Sequence, residues 1–234
     1  MVLTLNDRIK ILLLLIFYTP VVAVIFGLIL FIPANDFAWL EGWLFLIIFF
    51  SYVVFYMLYY LIRDPEVILK RAKYTTDDPE THTLPDKTFM ILAVPVFGFI
   101  LIFPAVDHAY TLSPLPWEIE IIGFVGLIIS LIGVTYINKV NRYASKGLVI
   151  HKDHELITQG PYKYIRHPMY AVVSITSFSI PLALGSLIAV VVSFAFPILL
   201  IYRIGIEEQM LFEHLEGYKE YAKEVPYRLI PKIY

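Results

Sequence analysis

Long apolar runs alternate with short polar ones along the chain. Uncharged stretches extend from Ile11 to Asn35, Gly42 to Ile62, Thr88 to Val106 and Ile121 to Asn138, with a last one from Pro168 to Tyr202. A helix needs about 20 residues to cross a bilayer, so each of the first four predicts one crossing. The last stretch falls short of the roughly 40 residues that two full crossings take, and Pro181, Gly185 and Ser186 interrupt it. It predicts a tight hairpin of short helices that do not reach full depth. Pro95 and Pro104 should kink or shorten the third helix. The pattern therefore predicts an all-α integral membrane protein with about six transmembrane helices, the last two closely paired.

Composition agrees, with 59% hydrophobic and 16% charged residues in 234. The first apolar run is too long for a signal-peptide core and lacks a small-x-small cleavage pattern, so it reads as a retained helix. The net charge of −2 says little, whereas the placement of charge says much. All 18 Lys and Arg fall in four groups: before helix 1, after helix 2, after helix 4 and after helix 6. The turns around Asp36, Asp107 to Glu120 and Pro181 to Ser186 have none. By the positive-inside rule both termini and both long polar loops are expected to be cytoplasmic. There is no cysteine, which excludes disulfides, thiolate metal sites and a Cys nucleophile.

The polar residues are densest from His154 to Tyr170, which carries two histidines, an arginine, a Gly160-Pro161 turn and three tyrosines. His167-Pro168 reads as a helix start, with proline in the first turn, where its missing N–H costs nothing. Arg166 and His167 at that start would favour an anion such as a carboxylate or phosphate. The plainer alternative, basic residues anchoring a helix at the headgroups, carries about equal weight.

Beyond Tyr202 the chain turns polar again. Leu211, Leu215 and Tyr218 fall at i, i+4, i+7, which predicts one amphipathic helix emerging from helix 6. Arg203 and Glu207 are four residues apart and could pair at its membrane end, a structural role in most helices. The adjacent carboxylates Glu207 and Glu208 could instead meet the amine or ribose of a polar cofactor. The Arg63 to Lys87 loop predicts a surface amphipathic helix followed by a polar loop, without chemistry. His82 and His108 stand apart from any ligand-spaced partner and read as surface histidines. No His/Asp/Glu set has metal-ligand spacing, and no Gly-rich phosphate loop or GxGxxG is present, so neither a metal site nor a Rossmann-type nucleotide domain is expected, and nothing supports nucleic-acid binding.

Gly160-Pro161-Tyr162, Arg166-His167-Pro168-Met169-Tyr170, Glu207-Glu208, Gly217-Tyr218 with Tyr221, and the Val-Pro-Tyr-Arg-Leu-Ile-Pro ending resemble the isoprenylcysteine carboxyl methyltransferase family. The related phospholipid N-methyltransferases look similar in the same region. The resemblance covers roughly Asn138 to the end and divides the chain into helices 1–3 with their loop (1–107) and a methyltransferase core (108–234). It implies S-adenosylmethionine held in a cytoplasmic pocket between the helix 4–5 loop and the C-terminal helix, with a lipophilic acceptor arriving from the bilayer. Carried over by motif, His154, Glu155, Leu156 and Ile157 match the cofactor-lining segment, and Tyr162, His167, Pro168 and Tyr170 match further cofactor contacts. Glu207-Glu208 matches the family's cofactor-binding glutamate. Spacing to Leu211 favours Glu208 for that role, with Glu207 as the alternative and otherwise a member of the catalytic centre. Arg203 resembles the arginine placed near the methyl acceptor.

The same ending also looks like that of membrane sterol reductases, which use NADPH, but Pro168 departs from their pattern. A transporter or scaffold is the non-enzymatic alternative, and the scarcity of ionisable residues at mid-membrane depth speaks against a transport path. The sequence thus predicts a multi-pass membrane methyltransferase, in the plasma membrane of a prokaryote or the endoplasmic reticulum of a eukaryote. Its acceptor would be a prenylcysteine-type carboxylate or a lipid amine or thiol, and membrane lipids would surround it.

Overall fold

The computed structural model describes residues 13–63, 84–141 and 155–234. The expected loop helix after Arg63, together with His82 and His154, lies outside the described residues. A π-helical turn, Leu14–Tyr18, leads into α1 (Thr19–Ala34), followed by α2 (Leu40–Arg63), α3 (Leu84–Tyr110) and α4 (Trp117–Val140). A short 3-10 turn, Gly160–Lys163, precedes α5 (Pro168–Ala183); α6 (Leu187–Ser193), α7 (Ala195–His214) and α8 (Tyr218–Glu224) complete the chain. No β-strand occurs among the described residues, so the all-α expectation holds.

Among the described residues, five helical segments are long and apolar enough to cross a membrane, and α5, with 16 residues, is a shorter apolar helix. At 1.5 Å per residue α5 spans about 24 Å, less than the roughly 30 Å hydrocarbon core. The expected hairpin is therefore short on one leg only. Its second leg, α6 with α7, runs 28 residues from Leu187 to His214, about 42 Å, and carries Arg203, Glu207 and Glu208 out of its far end.

α3 runs unbroken for 27 residues through Pro95 and Pro104, so of the expected kink or shortening the shortening does not occur. Each costs one hydrogen bond, to the carbonyls of Ile91 and Ile100, a loss that helices packed in a bundle tolerate. The helix that leaves the membrane ends at His214, with Leu215 as its C-cap, and Gly217 adopts φ 78° before α8 begins at Tyr218. Leu211, Leu215 and Tyr218 thus do not share one helix. The left-handed glycine folds α8 back, and the three side chains still meet in a small cluster with Tyr221, Val225 and Leu156.

The main core is formed by side chains from α1 to α5 and α7, including Phe31, Phe45, Ile100, Leu127, Ile180 and Leu200. α4 and α5 approach closely because small residues line the seam. A Cβ built on Gly123 would lie 2.2 Å from the Ala183 backbone nitrogen, on Gly126 2.5 Å from Ser179 Oγ, and on Gly133 3.0 Å from Val172. Where α3 meets the α4 and α6 starts, buried Asp107 accepts from the Ser113 backbone and hydroxyl and from Ser186, whose own Oγ caps α6 by accepting from Ala189 N–H. His108 is a surface residue with partners: it meets Asp36 at 3.1 Å and stacks on Trp39.

Candidate functional site

α5 begins as its sequence predicts, with Pro168 in the first turn and His167 as N-cap. The backbone N–H groups of Arg166 and His167, however, donate to the C-terminal segment, at 2.9 Å to Tyr227 and 2.8 Å to Arg228 carbonyls. The carboxylate that gathers at this helix start is the chain's own Glu208. It is 2% exposed. Arg166 Nε donates to Oε1 at 2.6 Å, Arg228 Nε to Oε2 at 2.6 Å and Tyr218 hydroxyl to Oε1 at 3.3 Å, with His167 Nε2 3.2 Å from Oε1. A carboxylate has about four acceptor sites, and Glu208 uses them within the protein.

The neighbouring Glu207 faces elsewhere and is 29% exposed along its side chain. Tyr170 hydroxyl donates to its Oε2 at 2.5 Å and accepts from Arg203 Nε at 2.9 Å. Arg203 is buried and lies over the Phe89 ring, 4.6 Å from the centroid. The i, i+4 pairing of Arg203 with Glu207 is thus bridged by a tyrosine from α5. His167 touches both glutamates, with Nδ1 4.0 Å from Glu207, and stacks near Tyr170.

The rest of the motif forms the wall. Tyr162 is buried; its hydroxyl accepts from Asn141 at 2.8 Å, and its carbonyl accepts from Tyr221 hydroxyl at 2.7 Å. Burial pushes its phenol up to about 12, against a smaller lowering by Asn141. Burial also raises the Tyr218 and Tyr221 phenols, with the Glu208 anion adding to both shifts. Gly160, at φ 60°, makes the turn that sets Tyr162 under the end of α4. Leu156 and Ile157 are half-buried, Leu156 against the Tyr218 cluster, while Glu155 is exposed.

Of the residues expected from sequence, Tyr162, His167, Pro168, Tyr170, Arg203, Glu207 and Glu208 converge on this region, and Leu156 and Ile157 flank it. Sequence reasoning gave no role to Asn141 or Phe89, and it met Tyr218, Tyr221 and Arg228 only as members of the C-terminal motif, Tyr218 also on a helix face. No group of three or more His, Cys, Asp or Glu able to hold a metal occurs among the described residues.

Residues 121–213 match the model of the isoprenylcysteine carboxyl methyltransferase (ICMT) family. That stretch holds α4, α5, the Arg166-His167-Pro168 start and both glutamates, and the match bears out the resemblance carried by the motifs. No curated protein matches the sequence. Among solved structures, the chain is similar to the eukaryotic intramembrane Ras methyltransferase ICMT (isoprenylcysteine carboxyl methyltransferase), solved without a monobody. The similarity has a TM-score of 0.49 at 19% identity and covers 99% of this chain and 88% of that one.

Proposed function

We propose that the protein is an integral-membrane, S-adenosylmethionine-dependent methyltransferase acting on a lipophilic acceptor. The observation that carries this is the Arg203–Tyr170–Glu207 chain, built inside the family-matched stretch at the polar end of α5 and α7. Its chemistry fits the cofactor: an ammonium or sulfonium is met by the partly exposed Glu207 carboxylate and by tyrosine, and the half-buried Leu156 and Ile157 offer apolar surface. Glu155 would complete that side.

When bound, the cofactor supplies an electrophilic methyl group on sulfonium. The residues' own tasks are alignment of the acceptor and exclusion of water, which is most of what in-line methyl transfer requires. Arg203 would orient a carboxylate acceptor, a prenylcysteine-type group among the candidates, and no proton need leave. For an amine or thiol acceptor, Glu207 is the group placed to take the proton, with Tyr170 holding it in position. Glu208, already surrounded by donors, would serve by fixing His167 and the C-terminal segment. Both termini and the site would face the cytoplasm, where the basic loops lie.

The test is transfer of isotopically labelled methyl from S-adenosylmethionine into lipid extract or a prenylcysteine analogue by the purified protein in lipid nanodiscs. Incorporation that Glu207→Gln lowers by about two orders of magnitude supports the assignment. Wild-type protein that binds the donor but shows equal incorporation in Glu207→Gln would remove Glu207 from the reaction.

A further inference from the structure

Two guanidinium groups, Arg166 and Arg228, converge on the single carboxylate of Glu208. One anion neutralises one of them. Arg166 is fully enclosed and also donates through Nη1 to the Val225 carbonyl at 2.7 Å, so its hydrogen-bonding is directed into the protein. Arg228 differs. Its side chain is 37% exposed; Nε goes to Glu208, Nη1 to the Tyr234 hydroxyl at 3.1 Å, and the Tyr234 ring lies 5.3 Å from its carbon centre. These contacts pin the guanidinium plane and leave the Nη2 edge without a partner among the described residues. The Glu208 carboxylate and the Tyr234 hydroxyl, acting against burial, hold Arg228 charged.

A surplus positive charge, held rigid and half-open beside a cofactor site, is arranged to accept a ligand anion, since a preorganised guanidinium loses little entropy on pairing. We propose that Arg228, which lies outside the family-matched residues, is an anion-binding residue of the site and receives an oxyanion carried by a ligand. This rests on the methyltransferase reading. The shared chemistry is a carboxylate or phosphate oxygen. Its two sources are the amino-acid carboxylate of the methyl donor and an anionic head of the acceptor.

A ligand-and-mutant cycle separates them. Wild-type and Arg228→Gln proteins in detergent are titrated calorimetrically with S-adenosylhomocysteine and with its analogue lacking the carboxylate. Each is also titrated with a prenylcysteine analogue and with its methyl ester. Glu208 keeps Arg166 in the variant, so folding is expected to survive; Arg228→Lys, which keeps the charge, is the second variant. A wild-type preference of about tenfold or more for one carboxylate-bearing ligand, reduced to near unity in Arg228→Gln and partly kept in Arg228→Lys, supports the proposal and names the source. A purely structural role would weaken both members of a pair alike. Retention of the wild-type carboxylate preference by Arg228→Gln, or no preference in the wild type for either pair, overturns it. Failure of the wild type to bind S-adenosylhomocysteine at all would refute the methyltransferase reading itself.

Discussion

Arg166 and Glu208 meet at 2.6 Å across 42 residues of sequence, and both side chains are almost wholly removed from water. The pair closes the first turn of α5 onto the end of α7. Removing one member of a buried ion pair strands the other, which costs about 3–5 kcal/mol, more than the pair contributes relative to apolar replacements. Glu208→Ala is therefore expected to lower stability by about that amount and expose the C-terminal segment to protease. The double replacement Arg166→Met with Glu208→Leu should recover part of the loss, since the remaining partner, Arg228, is 37% exposed and can turn to water. Denaturant unfolding in detergent and limited proteolysis check both.

Tyr170 hydroxyl is the link between Arg203 and Glu207, and its loss should be felt in function more than in fold. Tyr170→Phe keeps the ring beside His167 and removes two hydrogen bonds, of which each contributes about 0.5–3 kcal/mol, the upper end for bonds to charged groups. The expected result is a fall in kcat of about one to two orders of magnitude together with a loss of stability too small to account for it. Equal losses in Arg203→Lys would agree, because lysine cannot reproduce the directed Nε–H donor.

Close contact of α4 and α5 depends on Gly123. A methyl group there meets the backbone of Leu182 and Ala183, which cannot give way as a flexible side chain would. Gly123→Ala is expected to destabilise by about 1–3 kcal/mol through overpacking. Gly98→Ala is the control: nothing lies within 4 Å of its added Cβ, and alanine favours the helix. Thermal unfolding of the two variants side by side reads the difference.

Alkaline pH should loosen the site before the bundle. The Tyr162 phenol is raised in the folded protein from 10.0 to about 12 by burial. A raised folded value contributes its stability fully below the unfolded value, and that contribution is lost as pH rises through the folded one. Stability is thus expected to be flat up to about pH 10 and to fall above it, and Tyr162→Phe should make this limb less steep without abolishing it, because the Tyr218 and Tyr221 phenols are raised as well. Phenolate absorbance followed with far-ultraviolet circular dichroism records both.

The sequence carried the helices because lipid leaves the backbone few alternatives: an apolar run long enough to span is a helix, and the observed bounds differ from the runs mainly by added turns. It also carried Arg166, His167, Tyr170, Arg203 and the two glutamates through their motif. It did not carry the division of labour between Glu207 and Glu208. One residue of helix rotates a side chain by about 100°, and only the position of α5 and the C-terminal segment decides which carboxylate turns inward. Arg228 was hidden for the same reason, since its partner is 20 residues away and reached by a chain that reverses at Gly217. Whether α3 would continue through Pro95 and Pro104 was likewise not legible, because neighbouring helices in a bundle support the turn that proline breaks.

The most direct measurement is a calorimetric titration of the detergent-solubilised protein with S-adenosylhomocysteine, with NADPH run in parallel. Saturable binding of S-adenosylhomocysteine alone, weakened by Glu207→Gln, is the predicted result. Binding of NADPH alone would contradict the account and place the shared C-terminal motif in a reductase.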